Sequence, residues 1–299
     1  MKLATENRAR NAFIIAVTVP IGGLFILFYV YPCLRGLYMS LFTWRGISLK
    51  MTYVGLKNFA DLFHDSAFFI SLRNNLYIYV LASIILFAVS IFLAVVLSHN
   101  VLPEKHMYRT IFFFPAAVPI VVVSVISMSV FAPTTGILNT ILDAIGLGSL
   151  KQLWFSNKHL VLPSLTAFLV WRVLGFYMVL MIAAIQNIPL ELYESARLDG
   201  ARVFTQTMRI TLPLIWEVVR TALIFFIISS FSATFGIVFL VTRGGPDRAS
   251  EVLVTYMYQN AFTFFKFGYG TAIGVLILVI TMIIALIILR ATRREAVQY

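Results

Sequence analysis

Charge is what this 299-residue chain has least of. Asp, Glu, Lys and Arg make up 12% of it, against about 25% in soluble globular domains. Hydrophobic residues make up 61%, and the mean hydropathy is +0.94. A soluble fold cannot bury that much apolar surface, so the class is an integral membrane protein. A single cysteine, Cys33, excludes an internal disulfide. The four histidines, His64, His99, His106 and His159, are scattered and lack metal-ligand spacing, so no metal site is expected. No Gly is followed by Lys, which excludes a Gly-x-x-x-x-Gly-Lys phosphate cradle and nucleotide hydrolysis by this chain. His-Glu-x-x-His, Cys-x-x-Cys and Gly-x-Ser-x-Gly are also missing, so no catalytic residue and no cofactor are expected. Nor do the apolar runs carry the series of Asp, Glu and His that ion-coupled carriers place at the midplane.

Acids are scarcer than bases, and the net charge is +11. In a soluble protein that balance suggests nucleic acid. In a membrane protein it fits basic loops beside anionic lipid, so lipid is an expected partner and nucleic acid is not.

What the chain has in abundance is long apolar runs. Six approach or exceed the roughly 20 residues needed to cross a bilayer: 12–31, 74–98, 110–131, 160–185, 214–240 and 267–289. Backbone groups in lipid must be satisfied internally, and none of the runs has the dyad pattern of a barrel strand. The expected fold is therefore an all-α membrane protein with six transmembrane helices, one domain over 1–299. The first run reads as a retained signal-anchor helix rather than a cleaved signal peptide. Prolines 20, 115 and 119 lie inside runs and predict kinks rather than breaks.

Six spans put both termini on one side. That side carries eleven basic residues in short segments: Lys2, Arg8, Arg10, Lys105, Arg109, Arg197, Arg202, Arg209, Arg290, Arg293 and Arg294. The other side carries ten, spread over much longer loops. Density places the termini, the 99–109 loop and the 188–213 loop in the cytoplasm. On the other side, a short amphipathic helix is expected from Leu56 onward, another short helix within 132–159, and a turn at Gly244-Gly245-Pro246.

The stretch 188–213 stands apart. It holds three acids and three arginines between two apolar runs. It reads as two short helical pieces, broken at Asp199-Gly200 and bounded by Pro189 and Pro213. Glu194 is spaced to pair with Arg197 or with a base on a partner, Asp199 is placed to cap a helix starting at Ala201, and Gly200 permits a sharp turn. Arg172, near the middle of the fourth run, is the other exception. It either pairs with a neighbouring helix or meets a substrate. Arg220 is expected to snorkel to the nearer membrane face.

Glu194-Ser195-Ala196-Arg197-Leu198-Asp199-Gly200-Ala201, followed by Ile210-Thr211-Leu212-Pro213, resembles the EAA motif of ABC-importer permeases. The flanking Ile188-Pro189 and Leu192-Tyr193-Glu194 are similar to the carbohydrate-uptake branch, the family of maltose, glycerol-3-phosphate and oligosaccharide permeases. Further segments resemble the same branch: 53–59, Leu72-Arg73-Asn74-Asn75, 108–115, and Gly244-Gly245-Pro246 with 256–262. Departures are Ser195 for the first Ala of the motif, Thr207 for an aromatic residue and Asn75 for Thr.

The resemblance implies a type I ABC-importer permease fold in a bacterial or archaeal cell membrane. It implies a second permease subunit, two ATP-binding subunits and an extracytoplasmic solute-binding protein. It also implies that 188–213 is a coupling helix, with Glu194, Ser195, Ala196, Asp199, Gly200 and Ala201 against the ATPase. Substrate-pathway candidates are Arg172, Tyr177, Tyr256, Tyr258, Gln259 and Asn260, each with packing as its alternative role. The implied cargo is a sugar. Glycerol phosphate or a polyol on the same scaffold, an ion-coupled carrier and a non-transporting scaffold are the other readings.

Overall fold

A computed structural model describes residues 2–47, 50–98 and 104–292, with side chains from Arg10 onward. His99, the 99–103 part of the short basic loop, Arg293 and Arg294 lie outside the described residues, as do the side chains of Lys2 and Arg8. Among the described residues five helices are long and apolar enough to cross a membrane, or six if one bent pair counts as a single span. Two compact units divide the chain. One takes the residues up to His64 with Met257–Leu278, and the other takes Asp65–Tyr256 with the residues from Val279.

In the first unit, α1 (Lys2–Phe25) passes through Pro20 and continues by a π turn, Ile26–Val30, into α2 (Tyr31–Met39). The first helix thus outruns the expected 12–31. From Arg10 to Met39 its apolar window has no buried residue in the single chain. A two-residue hairpin, β1 (Phe42–Thr43) antiparallel to β2 (Thr52–Tyr53), leads to α3 (Lys57–Phe63), the short helix expected after Leu56. Asn58 holds this corner, since its Nδ2 donates to the carbonyls of Ser40 at 2.7 Å and Phe42 at 3.1 Å.

The second unit is built on α4 (Ser66–Ser98), α8 (Val161–Gln186) and α12 (Trp216–Val241). These are apolar on nearly every face, as helices buried on one side and in lipid on the other must be. The rings of Phe87, Tyr177 and Phe226 join them, with centroids 5.5–6.4 Å apart. Such ring pairs contribute about 0.5–1.5 kcal/mol each beyond burial. The last span, α14 (Phe267–Ala291), runs through the boundary between the units. At its end the Thr292 carbonyl accepts from Trp216 Nε1 at 2.9 Å.

The expected single helix over 110–131 is not formed. It is two helices, α5 (Lys105–Ala117) and α6 (Ile120–Val130), bent by 102°. Pro115 and Pro119 are one turn apart, so two successive turns each lose a backbone donor. The residue before Pro119 is pushed out of helical geometry, and Val118 is extended at φ −81°, ψ 137°. The two halves part company: α5 packs along α8 and α6 along α12. Gly175 of α8 permits the first contact. A β-carbon there would lie 2.0 Å from the Phe112 carbonyl oxygen, so the backbones touch directly.

The second span also differs from expectation, starting at Ser66 rather than 74. Its Asn74 and Asn75 are both buried. Asn74 Nδ2 donates to the carbonyls of Arg248 and Glu251 at 3.2 and 2.9 Å, and Asn75 Oδ1 accepts from the Leu253 amide at 2.7 Å. The loop they hold makes the turn expected at Gly244-Gly245-Pro246. In the 132–159 loop, α7 (Ile137–Ala144) is the expected short helix. Asn139 organises the loop around it, donating to the Pro133 and Gln152 carbonyls and accepting from Trp154 Nε1.

Candidate functional site

Two places in the second unit carry the chemistry that the sequence singled out. The first is the stretch 188–213. Pro189, extended at ψ 133°, starts α9 (Leu190–Leu198). Glu191 lies in its first turn and Arg197 in its last, each matched to the helix dipole. The helix ends in a Schellman motif: the Gly200 amide donates to the Arg197 carbonyl at 3.0 Å, and the Ala201 amide to the Ala196 carbonyl at 2.8 Å. Gly200 is the left-handed residue that this ending needs, at φ +80°. A β-carbon there would meet nothing within 4 Å, so the requirement is conformational and the surface above it is open.

Two expectations for this stretch are corrected. Asp199 does not cap the next helix. It is the C-cap of α9, and α10 (Val203–Gln206) starts two residues later than expected, with Arg202 at its N-cap. The Glu194–Arg197 pair is not among the ion pairs of the described residues. Glu194 is exposed, while Arg197 borders a cavity of about 220 Å³ beneath the helix, with Tyr193, Ile185 and Val95. Pro213 lies at the end of the second piece, as expected: α10 continues through a π turn, Thr207–Thr211, into α11 (Leu212–Leu214), and Ile215 breaks the helix before α12.

The two arms of the stretch are tied internally. Tyr193 and Thr211 share a buried hydroxyl–hydroxyl hydrogen bond of 3.0 Å, and Gln206 Nε2 donates to the Ala201 carbonyl at 2.7 Å. Burial pushes the Tyr193 hydroxyl above its ordinary pKa, an effect that the Thr211 bond opposes. The Ser195 hydroxyl donates to its own helix, to the Glu191 carbonyl at 2.9 Å. The surface left for a partner includes large apolar side chains, Leu198 at 90% exposed and Phe204 at 72%, with Val203 and Met208, beside charged ones such as Glu194, Asp199 and Arg202. Sequence reasoning passed over the four apolar ones. The available signal was large apolar residues inside a charged stretch that cannot lie in lipid.

The second place is a cavity of about 360 Å³ between α8 and α12. Leu169, Arg172, Val173 and Tyr177 reach it from one face of α8, and Phe226, Ser229, Ser230, Ser232 and Ala233 from α12. Ile120, the first residue of α6, closes one end, so the break at Val118-Pro119 shapes this space. Arg172 is half-buried. Its Nε is buried without a hydrogen-bond partner, and no described residue forms an ion pair with it. Arg220 reaches back toward the start of α12, where its Nη2 meets Glu217 Oε2 at 2.6 Å.

Arg172 and Tyr177 share the cavity. Tyr256 does not line it. Its hydroxyl donates to Asp65 Oδ2, and the Arg248 guanidinium lies 5.8 Å from its ring centroid. Arg248 also pairs with the buried Glu251 at 3.3 Å. Tyr258 packs on Phe262 at 4.9 Å between ring centroids, and the Gln259 and Asn260 carbonyls accept backbone amides from Phe264 and Lys266. The serines of α12 are cavity residues that sequence reasoning missed, since a Ser in an apolar helix carries no local signal.

The sequence profile of the binding-protein-dependent transport system inner membrane component matches residues 104–295. The chain belongs to that family. It is a multi-pass membrane permease subunit and not an enzyme. Among its relatives is the probable ABC transporter permease protein YurN of Bacillus subtilis, 36% identical over 264 residues that cover 88% of this chain and 90% of YurN. The diacetylchitobiose uptake system permease protein NgcF of Streptomyces coelicolor is 32% identical over 291 residues, covering 94% and 82%. A chain in the crystal structure of a bacterial ABC transporter involved in the import of the acidic polysaccharide alginate superposes with a TM-score of 0.85. It covers 99% of this permease and 100% of that chain at 25% identity.

Proposed function

We propose that this permease, acting as one domain over 1–299, moves mono- or oligosaccharides into the cell in an ATP-driven importer. It works beside a second permease subunit, two ATP-binding subunits and an extracytoplasmic solute-binding protein. Both termini and 188–213 face the cytoplasm. Relatives whose names cite diacetylchitobiose uptake and alginate import support a sugar as cargo. The stretch 188–213 is the coupling element, with Glu194, Ser195, Ala196, Asp199, Gly200 and Ala201 against the ATPase. The observation that carries this is a helix closed by its own backbone bonds at Gly200 while Leu198 and Phe204 stay exposed. A cytoplasmic loop keeps such apolar groups in water only at a cost, which a docked partner removes.

The cavity between α8 and α12 lies on the substrate path, with Arg172 and Tyr177 as contacts. Tyr256, Tyr258, Gln259 and Asn260 serve packing. Closure of the ATPase pair biases a two-state bundle through differential contacts with 188–213. The test is to purify the chain with its co-purifying partners, reconstitute them and screen sugars for stimulated ATP hydrolysis. The expected result is stimulation by at least one sugar together with its binding protein. Uptake that proceeds without an ATPase and follows an ion gradient would overturn the reading.

A further inference from the structure

The cavity carries a charge that sugar transport in general does not require. A guanidinium can also donate to the hydroxyls of a neutral sugar, but only an anion offsets the charge of one that has no counter-ion. Here the cavity lining includes the guanidinium of Arg172 and no carboxylate. Arg172 Nε is buried with no acceptor, so part of the cost of removing this cation from water is unrecovered among the described residues. Ile120, first residue of an 11-residue helix without a side-chain cap, lines the same cavity, and a helix N-terminus favours negative charge. The other polar groups are hydroxyls. Ser229 is bonded to the Phe225 carbonyl at 2.8 Å and to the Tyr177 hydroxyl, while Ser232 is exposed along the cavity.

We infer that the substrate is an anionic carbohydrate, whose acid group is met by Arg172 while Ser232 meets one of its hydroxyls. This rests on the reading that the cavity lies on the substrate path. A sugar carboxylate and a phosphate on a sugar or polyol present the same chemistry to a guanidinium. The experiment separates them.

Proteoliposomes holding the complete transporter are offered a uronic-acid oligosaccharide, its neutral counterpart of equal length and a phosphorylated polyol. One anionic compound is expected to enter at least about tenfold faster than the neutral one. Arg172→Gln is expected to lower the anionic-to-neutral ratio about 10- to 100-fold, the worth of a hydrogen-bonded charge. Arg172→Lys, which keeps the charge, should hold most of the ratio, and it serves if the glutamine variant fails to reach the membrane. Faster entry of the neutral sugar overturns the inference. So does a Gln variant that slows all cargo equally, because Arg172 would then pair with the second subunit. If none of the three enters or stimulates ATP hydrolysis, the sugar-importer reading itself fails.

Discussion

The stretch 188–213 and the cavity between α8 and α12 solve opposite problems. In the stretch, backbone groups at the break are closed by the Schellman bonds and by Gln206, while apolar side chains are left open. In the cavity, apolar side chains and rings are packed, while one cation is left without a partner. Each is complete except in the currency of its partner: exposed hydrocarbon for a protein surface, an unmatched charge for a ligand. Two other charges show that the absence of a counter-ion at Arg172 is not general. Arg220 has Glu217 one turn away, and the buried Glu251 has Arg248 at 3.3 Å.

The sharpest break of this contrast is Leu198→Asp. The side chain is 90% exposed and lies outside the buried core. Thermal stability should therefore stay unchanged, while binding of the ATPase weakens by about 2 kcal/mol, roughly 30-fold, as for a central interface residue. Co-purification against Tm measures both.

Gly175→Ala tests the packed side. Its β-carbon would collide with the Phe112 carbonyl, and overpacking of this kind costs about 1–3 kcal/mol. A lower Tm in detergent is expected, with ATPase binding through 188–213 retained. Gly200→Val follows. A β-branched residue at φ +80° costs about 1–2 kcal/mol. The ending of α9 should loosen and uptake fall, whereas Gly200→Asn, which tolerates that conformation, keeps most of it.

Glu251 supplies a pH test. Burial pushes its carboxyl above the ordinary 4.5, Arg248 opposes the shift and Asp65 adds to it. The folded state thus holds the proton to higher pH than the unfolded chain. Its contribution to stability is fully present below 4.5 and is lost as pH rises through the folded value. Glu251→Gln should flatten the fall of Tm across that range. The smallest effect is expected from Glu217→Gln. With its side chain 47% exposed, this pair should contribute no more than about 1 kcal/mol.

Local chemistry in the sequence made the stretch legible. Acids and arginines in an apolar chain must reach water, and Asp-Gly marks a break. What escaped was the direction of the cap. Asp199 ends the helix before it because Gly200 can take the left-handed conformation that a Schellman ending needs. The cavity was half legible. Arg172 stood out, but the space beside it depends on the break at Val118-Pro119. All three prolines read alike from their place inside apolar runs, and Pro20, alone, is indeed tolerated inside its helix. Pro115 and Pro119 together remove donors from successive turns. The early start of α4 was not legible either. Asn74 and Asn75 bond backbone groups 174–178 residues away, which no local pattern reveals.

The most direct measurement is ATP-dependent sugar uptake in proteoliposomes that hold the complete transporter, with and without Leu198→Asp. The expected result is uptake that requires ATP on the side of 188–213 and is lost in the variant while the permease remains in the membrane at wild-type amounts. Uptake that persists in the variant, or that needs no ATP, would contradict the assignment of 188–213 as the coupling element.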